Sequence, residues 1–237
     1  MKREGVFVYL TAKEMAQADR QAIEVYGIDV LALMENAGVA TAHMARWMLG
    51  GVVQGSGICC LVGKGNNGGD GLVAARHLHD WGADVRVVLA GERSDLRDVP
   101  ARQIAVVDKM GIPILRPDAE FGDARLLVDG LLGYGASGSP REPAAGIIRR
   151  ANASQIPTLA VDIPSGLDAT TGEPGDPTVV AKVTVTFGLP KTGFLNPRAR
   201  RHVGELYLAD ISMPSQVYRA FSVGKGLFAK ETLLRIW

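Results

Sequence analysis

The sequence predicts an α/β fold, a three-layer sandwich in which helices cover both faces of a mostly parallel central sheet. Strand and helix patterns alternate along most of the chain, and such alternation builds parallel sheets with right-handed crossovers. Glycine-rich segments follow two of the apolar strands, at residues 63–71 and 133–139. With 237 residues, 47% of them hydrophobic, the chain can form one large core, so we expect a single domain over residues 1–237.

The helices and strands are predicted in chain order from hydrophobic periodicity and from the residues that typically start or end such elements. Thr11 and Glu14 form a capping-box pattern at the start of a helix over 11–26, and a second helix covers 30–49. An apolar strand ends at Val62, and helical character returns after Gly71. Further strands are expected at 83–90, 112–115, 125–132, 158–162, 182–188 and 205–211, further helices at 97–110 and 143–153, and the start of a helical pattern at 228–237.

Charge and cysteine content exclude several classes of protein. The 26 basic and 25 acidic residues nearly cancel, which argues against a broad nucleic-acid or membrane surface. Cys59 and Cys60 are neighbours in an apolar strand, so they point to opposite faces and are expected to be core thiols of an intracellular protein. No secretory leader or membrane-spanning stretch is evident, so the expected location is the cytoplasm.

The segment 63–71 combines a phosphate-binding pattern with side-chain oxygens. Five glycines in nine residues predict an irregular turn, whose amides and following helix would favour a phosphate. Gly63, Gly65 and Gly68 also fit the weak dinucleotide-binding pattern G-x-G-x-x-G of Rossmann-like folds. Asn66, Asn67 and Asp70 add polar oxygens, either for ligand recognition or simply to cap the helix and serve the turn.

Two later strands end in carboxylates. Asp129 lies in an apolar strand that leads into the second glycine segment, and Asp162 ends another strand just before Ser165 and Gly166. A buried carboxylate needs a cation or hydrogen-bond donors, and ligands of parallel sheets gather at the carboxyl ends of the strands. We therefore expect these residues to lie near the first glycine segment.

Several motifs in the same order resemble the NAD(P)H-hydrate epimerase family, also called the YjeF N-terminal domain. They are Asn66 to Gly71 (NNGGDG), Val128 to Gly133 (VDGLLG), Val161 to Asp168 (VDIPSGLD) and Thr184 to Lys191 (TVTFGLPK). The helix pair before them, which carries Glu35 and Asn36 in its second helix, is similar too. The resemblance covers roughly residues 10 to 215 and implies the Rossmann-like form of the sandwich.

The resemblance implies an isomerase that interconverts the R and S epimers of hydrated NADH or NADPH, which carries a hydroxyl group on the nicotinamide ring. It implies a potassium ion, a homodimer, and an ATP- or ADP-dependent NAD(P)H-hydrate dehydratase as functional partner. Asp162 would be catalytic, and Asn67, Asp129 and Ser165 would bind potassium. The substrate would be bound by Asn66, Asn67, Gly68, Gly69, Asp70, Gly133, Tyr134, Gly135, Ala136, Ser137, Gly138, Ser139 and Asp162.

Some alternatives stay open. Asp168 competes with Asp162 as the acid/base, and Lys191 either reaches a phosphate or, as the safer expectation, is a solvated loop lysine. Tyr134 departs from the threonine that members of the family often carry. A catalytically silent scaffold of the same fold and a dehydrogenase with Glu92 as its ribose-binding acid are the competing functions, and the chain is either standalone or part of a fusion with the dehydratase.

Overall fold

The computed structural model describes residues 2–4 and 7–237. In that part of the chain the strands are β1 (Lys2–Glu4), β2 (Phe7–Tyr9), β3 (Gly57–Val62), β4 (Asp84–Leu89), β5 (Ile114–Leu115), β6 (Leu126–Gly130), β7 (Thr158–Val161), β8 (Val183–Phe187), β9 (Glu205–Ala209) and β10 (Leu233–Arg235). The α-helices are α1 (Ala12–Arg20), α2 (Val30–Met48), α3 (Asn66–Asp80), α4 (Asp98–Lys109), α5 (Ala144–Ser154), α6 (Arg200–Val203) and α7 (Ser215–Ala220).

Eight strands form the central sheet, in the order β10-β9-β8-β7-β6-β3-β4-β5. All neighbours are parallel except β10, which is antiparallel to β9. From β3 the chain continues to β4 and β5 on one side, then returns to β6 on the other side and continues outward to β9. The strand order therefore reverses between β3 and β6, where open α/β sheets bind their ligands.

The core consists of two large apolar layers, one on each face of the sheet, and a smaller apolar group around Ile163 and Leu167. Ile58, Cys60 and Val62 belong to the layer that contains residues of α1, α2, α3 and α4. Cys59 and Leu61 belong to the opposite layer, with residues of α5. The predicted three-layer α/β sandwich is confirmed, and the two cysteines are buried thiols on opposite faces of β3.

The first glycine segment differs from the prediction because it is largely helical. α3 begins at Asn66, so Gly68, Gly69 and Gly71 lie within the helix rather than in an irregular turn. Close packing explains why these positions are glycines. A Cβ added to Gly68 would lie 2.1 Å from Gly63 O, and one added to Gly63 would lie 1.8 Å from Leu131 O. These glycines permit close contact between backbone segments and do not supply left-handed turns.

Smaller differences affect the two ends of the chain. The Thr11–Glu14 capping box is present, with Glu14 N donating to Thr11 Oγ1 at 3.2 Å, but α1 ends at Arg20 and continues as a π-helical turn over Gln21–Val25. The tail was expected to begin a helix and instead adds β10 to the sheet edge, because β9 offers it an unpaired edge. An unpredicted antiparallel pair, β1 with β2, precedes α1. No helix of the described chain has the length and apolarity that a membrane span requires.

Candidate functional site

A cavity of about 1020 Å³ opens at the point where the strand order reverses, outside the carboxyl ends of β3 and β6. This volume lies at the upper end of the usual range for ligand pockets. Apolar side chains of α1 and α2 form one wall, and the two glycine-rich segments form the other. The polar and glycine residues of that lining include Asp19, Gly63, Gly65, Asn66, Asn67, Asp70, Gly133, Ser137, Gly138, Ser139, Asp162 and Lys191.

The amino terminus of α3 faces this cavity. Its N-cap residue, Gly65, supplies no side-chain hydrogen bond, so the first amide groups of a 15-residue helix are left for another partner. Free amides and the helix dipole favour an anion at this position. Lys64 is half exposed beside it and forms an ion pair with Asp95 at 2.7 Å.

The predicted substrate-binding residues separate into two groups. Asn66, Asn67, Asp70 and the whole of 133–139 line the cavity. Gly68 and Gly69 are buried behind this surface instead, and a Cβ added to Gly69 would lie 2.5 Å from Met34 Cε. Gly68 and Gly69 therefore shape the wall through packing.

Three strand-end segments converge on the backbone of Leu132. Asn67 Nδ2 donates to Leu132 O at 3.0 Å, and Leu132 N donates to Ser165 Oγ at 2.9 Å. Ser165 Oγ in turn donates to Asp129 Oδ1 at 2.6 Å. The structure thus brings together Asn67, Asp129 and Ser165, which the resemblance assigned to one ion.

Asp129 is completely buried below the cavity. Its carboxylate accepts hydrogen bonds from Leu131 N at 3.2 Å and from Ser165 N at 2.8 Å, in addition to the Ser165 hydroxyl. Burial raises the pKa of Asp129 to about 6, and the hydrogen bonds oppose that rise. Beside it, Asn67 Oδ1 is buried and receives no hydrogen bond from any described residue. The cluster therefore offers a carboxylate and an unsatisfied amide oxygen in a buried place.

Asp162 and Lys191 form a buried ion pair at the carboxyl ends of β7 and β8, and their side chains are only 8% and 1% exposed. Asp162 Oδ1 accepts from Lys191 Nζ, from Thr186 Oγ1 at 3.1 Å and from Phe187 N at 3.2 Å. These donors all bind one oxygen, so Oδ2 of Asp162 has no hydrogen-bond partner among the described residues. Because Asp162 lines the cavity, Oδ2 is the carboxylate atom left for a bound molecule.

The ammonium group of Lys191 is fully engaged. Besides Asp162, it donates to Thr186 Oγ1 at 2.9 Å and to Phe187 O at 3.1 Å, which uses the three donors of a lysine. The expectation of a solvated loop lysine is wrong, because the parallel strands β7 and β8 end side by side and bring Lys191 to Asp162. The strand-end rule that selected Asp162 could have selected Lys191 as well.

Two more carboxyl groups lie near this pair. Tyr134 Oη donates to Asp19 Oδ2 at 2.5 Å, and burial raises the pKa of Asp19 although that bond opposes the rise. The pKa of Asp70 is raised well above its usual range, first by burial and then by the charges of Asp162 and Asp19. The cavity thus gathers three carboxyl groups near one buried ammonium, and the raised pKa values of Asp19 and Asp70 favour their neutral forms.

Other candidates have local structural roles. Asp168 Oδ1 accepts from Thr170 N at 2.9 Å and from Thr171 N at 2.7 Å, and Asp168 does not line the cavity. Glu35 binds Arg76 at 2.5 Å and His77 at 2.8 Å, which joins α2 to α3. Glu92, the ribose-binding acid of the dehydrogenase alternative, also lies outside the residues that line the cavity.

The fold and the position of the cavity define a Rossmann-like α/β protein whose ligand site lies at the switch point of the sheet. Residues 30–193 match the family model described as YjeF-related protein N-terminus. The chain belongs to this family.

Relatives in other organisms agree with that assignment. An NAD(P)H-hydrate epimerase of Dehalogenimonas lykanthroporepellens is 37% identical and aligns over 88% of this chain and 84% of its own length. An NAD(P)H-hydrate epimerase of Rhodopirellula baltica is 36% identical and aligns over 90% of this chain and 88% of its own length. A bifunctional NAD(P)H-hydrate repair enzyme Nnr of Pyrobaculum aerophilum is 42% identical over 93% of this chain, which spans only 44% of that relative.

A crystal structure of the yeast protein ynu0 (YNL200c) has the same fold. The TM-score is 0.82, with coverage of 97% of this chain and 100% of the yeast chain. At 24% identity this likeness concerns the fold alone.

Proposed function

We propose that this protein is an NAD(P)H-hydrate epimerase, an isomerase that interconverts the R and S epimers of hydrated NADH or NADPH. The observation that carries the proposal is the carboxylate of Asp162, which lines a cavity of dinucleotide size between two glycine-rich segments and whose Oδ2 accepts no hydrogen bond from the described residues. Asp162 has a φ of 65°, a conformation that is unusual for a residue other than glycine and is found preferentially at functional sites. The names of the full-length relatives support the same activity.

The dinucleotide would be held at both glycine-rich segments. Its diphosphate is placed at the free amides of the α3 amino terminus, where Asn66 and Asn67 lie. The second segment, 133–139, supplies backbone and the hydroxyl groups of Ser137 and Ser139 along the same cavity. With the diphosphate held there, the nicotinamide end extends toward Asp162 and Lys191.

The reaction requires acid/base chemistry at a single oxygen. The substrate hydroxyl is attached to the ring carbon next to the ring nitrogen, so the nitrogen lone pair can expel it. Asp162 reacts in the form that carries a proton on Oδ2, taken up from water, while Oδ1 stays bound to Lys191. Oδ2 delivers this proton to the hydroxyl, the carbon–oxygen bond breaks with both electrons on oxygen, and water departs, so that the ring is left as a cation and Asp162 as a carboxylate. Water then adds to either face and returns the proton to Oδ2. Lys191 keeps Oδ1 engaged, which directs the proton to Oδ2.

A potassium ion fits the buried cluster next to the cavity. Asn67 Oδ1 lacks a donor, and the carboxylate of Asp129 and the hydroxyl of Ser165 add the hard oxygens that an alkali cation prefers. Asn67, Asp129 and Ser165 would hold the ion. When bound, it would supply a positive charge that offsets the buried Asp129 and favours the nearby diphosphate.

The wider assignments stay proposals. Under this function the protein is a homodimer in the cytoplasm, its partner is the ATP- or ADP-dependent dehydratase, and residues 1–237 form one epimerase domain. The chain spans less than half of the length of the bifunctional relatives, so only the epimerase half of such a protein is proposed for it. The silent-scaffold alternative is less well supported, because a scaffold has no need for a buried carboxylate with one free oxygen at a cavity wall.

The test uses the purified R-hydrate of NADH and follows the S-hydrate by chromatography with wild-type protein, Asp162→Asn and Asp168→Asn. Wild type is expected to convert the R-hydrate faster than the spontaneous reaction does. Asp162→Asn is expected to be about 10²–10⁴-fold slower than wild type. Asp168→Asn is the matched control, because its oxygen still accepts from Thr170 and Thr171. A wild-type rate equal to the spontaneous one contradicts the function, whereas full activity of folded Asp162→Asn contradicts only the catalytic assignment.

A further inference from the structure

We propose that Tyr134 is the residue against which the reacting ring stacks, and that Asp19 positions it for that contact. The inference rests on the proposed function and adds a substrate-contacting aromatic side chain to it. The site accordingly binds a planar, positively charged nicotinamide ring better than a neutral one, and Tyr134 accounts for most of that preference.

The phenol ring of Tyr134 lies near the buried pair of Asp162 and Lys191. Tyr134 lines the cavity, and Lys191 Nζ lies over its ring at 5.9 Å from the centroid. Lys191 is bound to Oδ1 of Asp162, and Tyr134 and Asp162 line the same cavity, so the ring lies on the part of the wall where the proton is transferred. A nicotinamide ring whose hydroxyl reaches Oδ2 therefore comes close to Tyr134.

The Tyr134 ring is held in place at both ends. Its hydroxyl donates to Asp19 Oδ2 at 2.5 Å, which ties the second glycine-rich segment to α1. Its carbon atoms pack against the apolar layer that contains Met15 and against a second apolar group around Ile163 and Leu167. A ring fixed in this way does not have to be ordered when the substrate binds, so little of the contact energy is lost.

The positive charge that the substrate ring gains in the reaction also favours an aromatic neighbour. Once Asp162 has supplied a proton, loss of the hydroxyl as water converts a neutral ring into a cation, and an aromatic face attracts a cation most strongly where water is excluded. Asp162 is the buried carboxylate of this region and is paired with Lys191, and the carboxyl group of Asp19 accepts from the Tyr134 hydroxyl. Donation of the Tyr134 hydroxyl proton to a carboxylate also makes the ring more electron-rich. These features all favour the cation over the neutral substrate, which is what lowers a barrier.

The experiment compares the affinities for NAD⁺, whose nicotinamide ring is planar and cationic, and for NADH, whose ring is neutral. It uses wild type, Tyr134→Leu and Tyr134→Phe, with kcat and KM measured for the R-hydrate. Tyr134→Leu is expected to weaken NAD⁺ binding and lower kcat by about 5- to 30-fold, with a smaller change for NADH. Tyr134→Phe keeps the aromatic face but loses the bond to Asp19, so it should keep the preference for NAD⁺ and raise KM more than it lowers kcat.

Tyr26→Leu is the control, because Tyr26 is 43% exposed and lies outside the cavity lining. It should match wild type in every measurement. An active Tyr134→Leu with unchanged kcat and an unchanged ratio of NAD⁺ to NADH affinity would overturn the role of Tyr134 and leave the epimerase assignment standing. A wild-type protein without epimerase activity would instead overturn the proposed function itself.

Discussion

Lys191 and Asp162 form an ion pair that is almost completely removed from solvent, although the two residues lie 29 positions apart in the chain. Each depends on the other, because a buried charge without a partner costs several kcal/mol. The pair also fixes which oxygen of Asp162 faces the cavity. Stability and chemistry are therefore coupled at this point of the fold.

Replacing Lys191 with methionine should destabilise the protein by about 3–5 kcal/mol, because Asp162 would be left buried without its counter-charge. Urea denaturation measures the change. Arg116→Met is the matched control: the Arg116–Asp118 pair is exposed, so its loss should cost less than about 0.5 kcal/mol. Equal stabilities of the two variants would show that the buried pair does not form.

Gly68→Ala should be more destabilising than Gly69→Ala. The added methyl group at position 68 meets the backbone oxygen of Gly63 at 2.1 Å, whereas at position 69 it meets the flexible end of Met34 at 2.5 Å. Overpacking costs about 1–3 kcal/mol where neighbours cannot move. Gly135→Ala has open space around the new methyl group and serves as the control in thermal denaturation. The packing explanation fails if Gly68→Ala unfolds at the temperature of that control.

The positions of the site residues can be predicted from the sequence only in part. Asp129 lies near the end of β6, Ser165 follows β7 and Asn67 opens the helix after β3, so the order of these neighbouring parallel strands brings the three together. The helical start at Asn66 was missed because close packing with Gly63, rather than a turn, explains the glycines. The Asp19–Tyr134 bond joins residues 115 positions apart, and no local pattern encodes such a contact.

Potassium chloride should raise the melting temperature above that found in tetramethylammonium chloride of equal ionic strength. A stabilisation of about 1 kcal/mol corresponds to about 2–4 °C for a chain of this size. Asp129→Asn and Asn67→Ala should each lose the effect, because they remove the charge and the unsatisfied oxygen. Asp123→Asn, at an exposed position, should retain it. Identical melting temperatures of the wild type in both salts would contradict a potassium site.

The raised pKa of Asp70 should make wild-type stability fall with increasing pH. The folded state keeps a proton that the unfolded state releases near pH 3.8, so this contribution is full below that pH and is lost as pH rises through the higher folded value. Asp70→Asn should remove that part of the slope in urea denaturation at pH 5 and pH 8. Asp118→Asn, at an exposed position, should follow wild type. If the free energy of unfolding changes equally with pH in wild type and in Asp70→Asn, Asp70 does not contribute to the pH dependence.

The most direct test of the account follows epimerisation of the R-hydrate in water enriched in oxygen-18, with mass analysis of the product. Loss and return of water at Asp162 predict that S-hydrate forms faster than without protein and carries the heavy oxygen from the first turnover. Rapid conversion with the original oxygen retained would contradict the proposed chemistry, and no acceleration at all would contradict the enzyme.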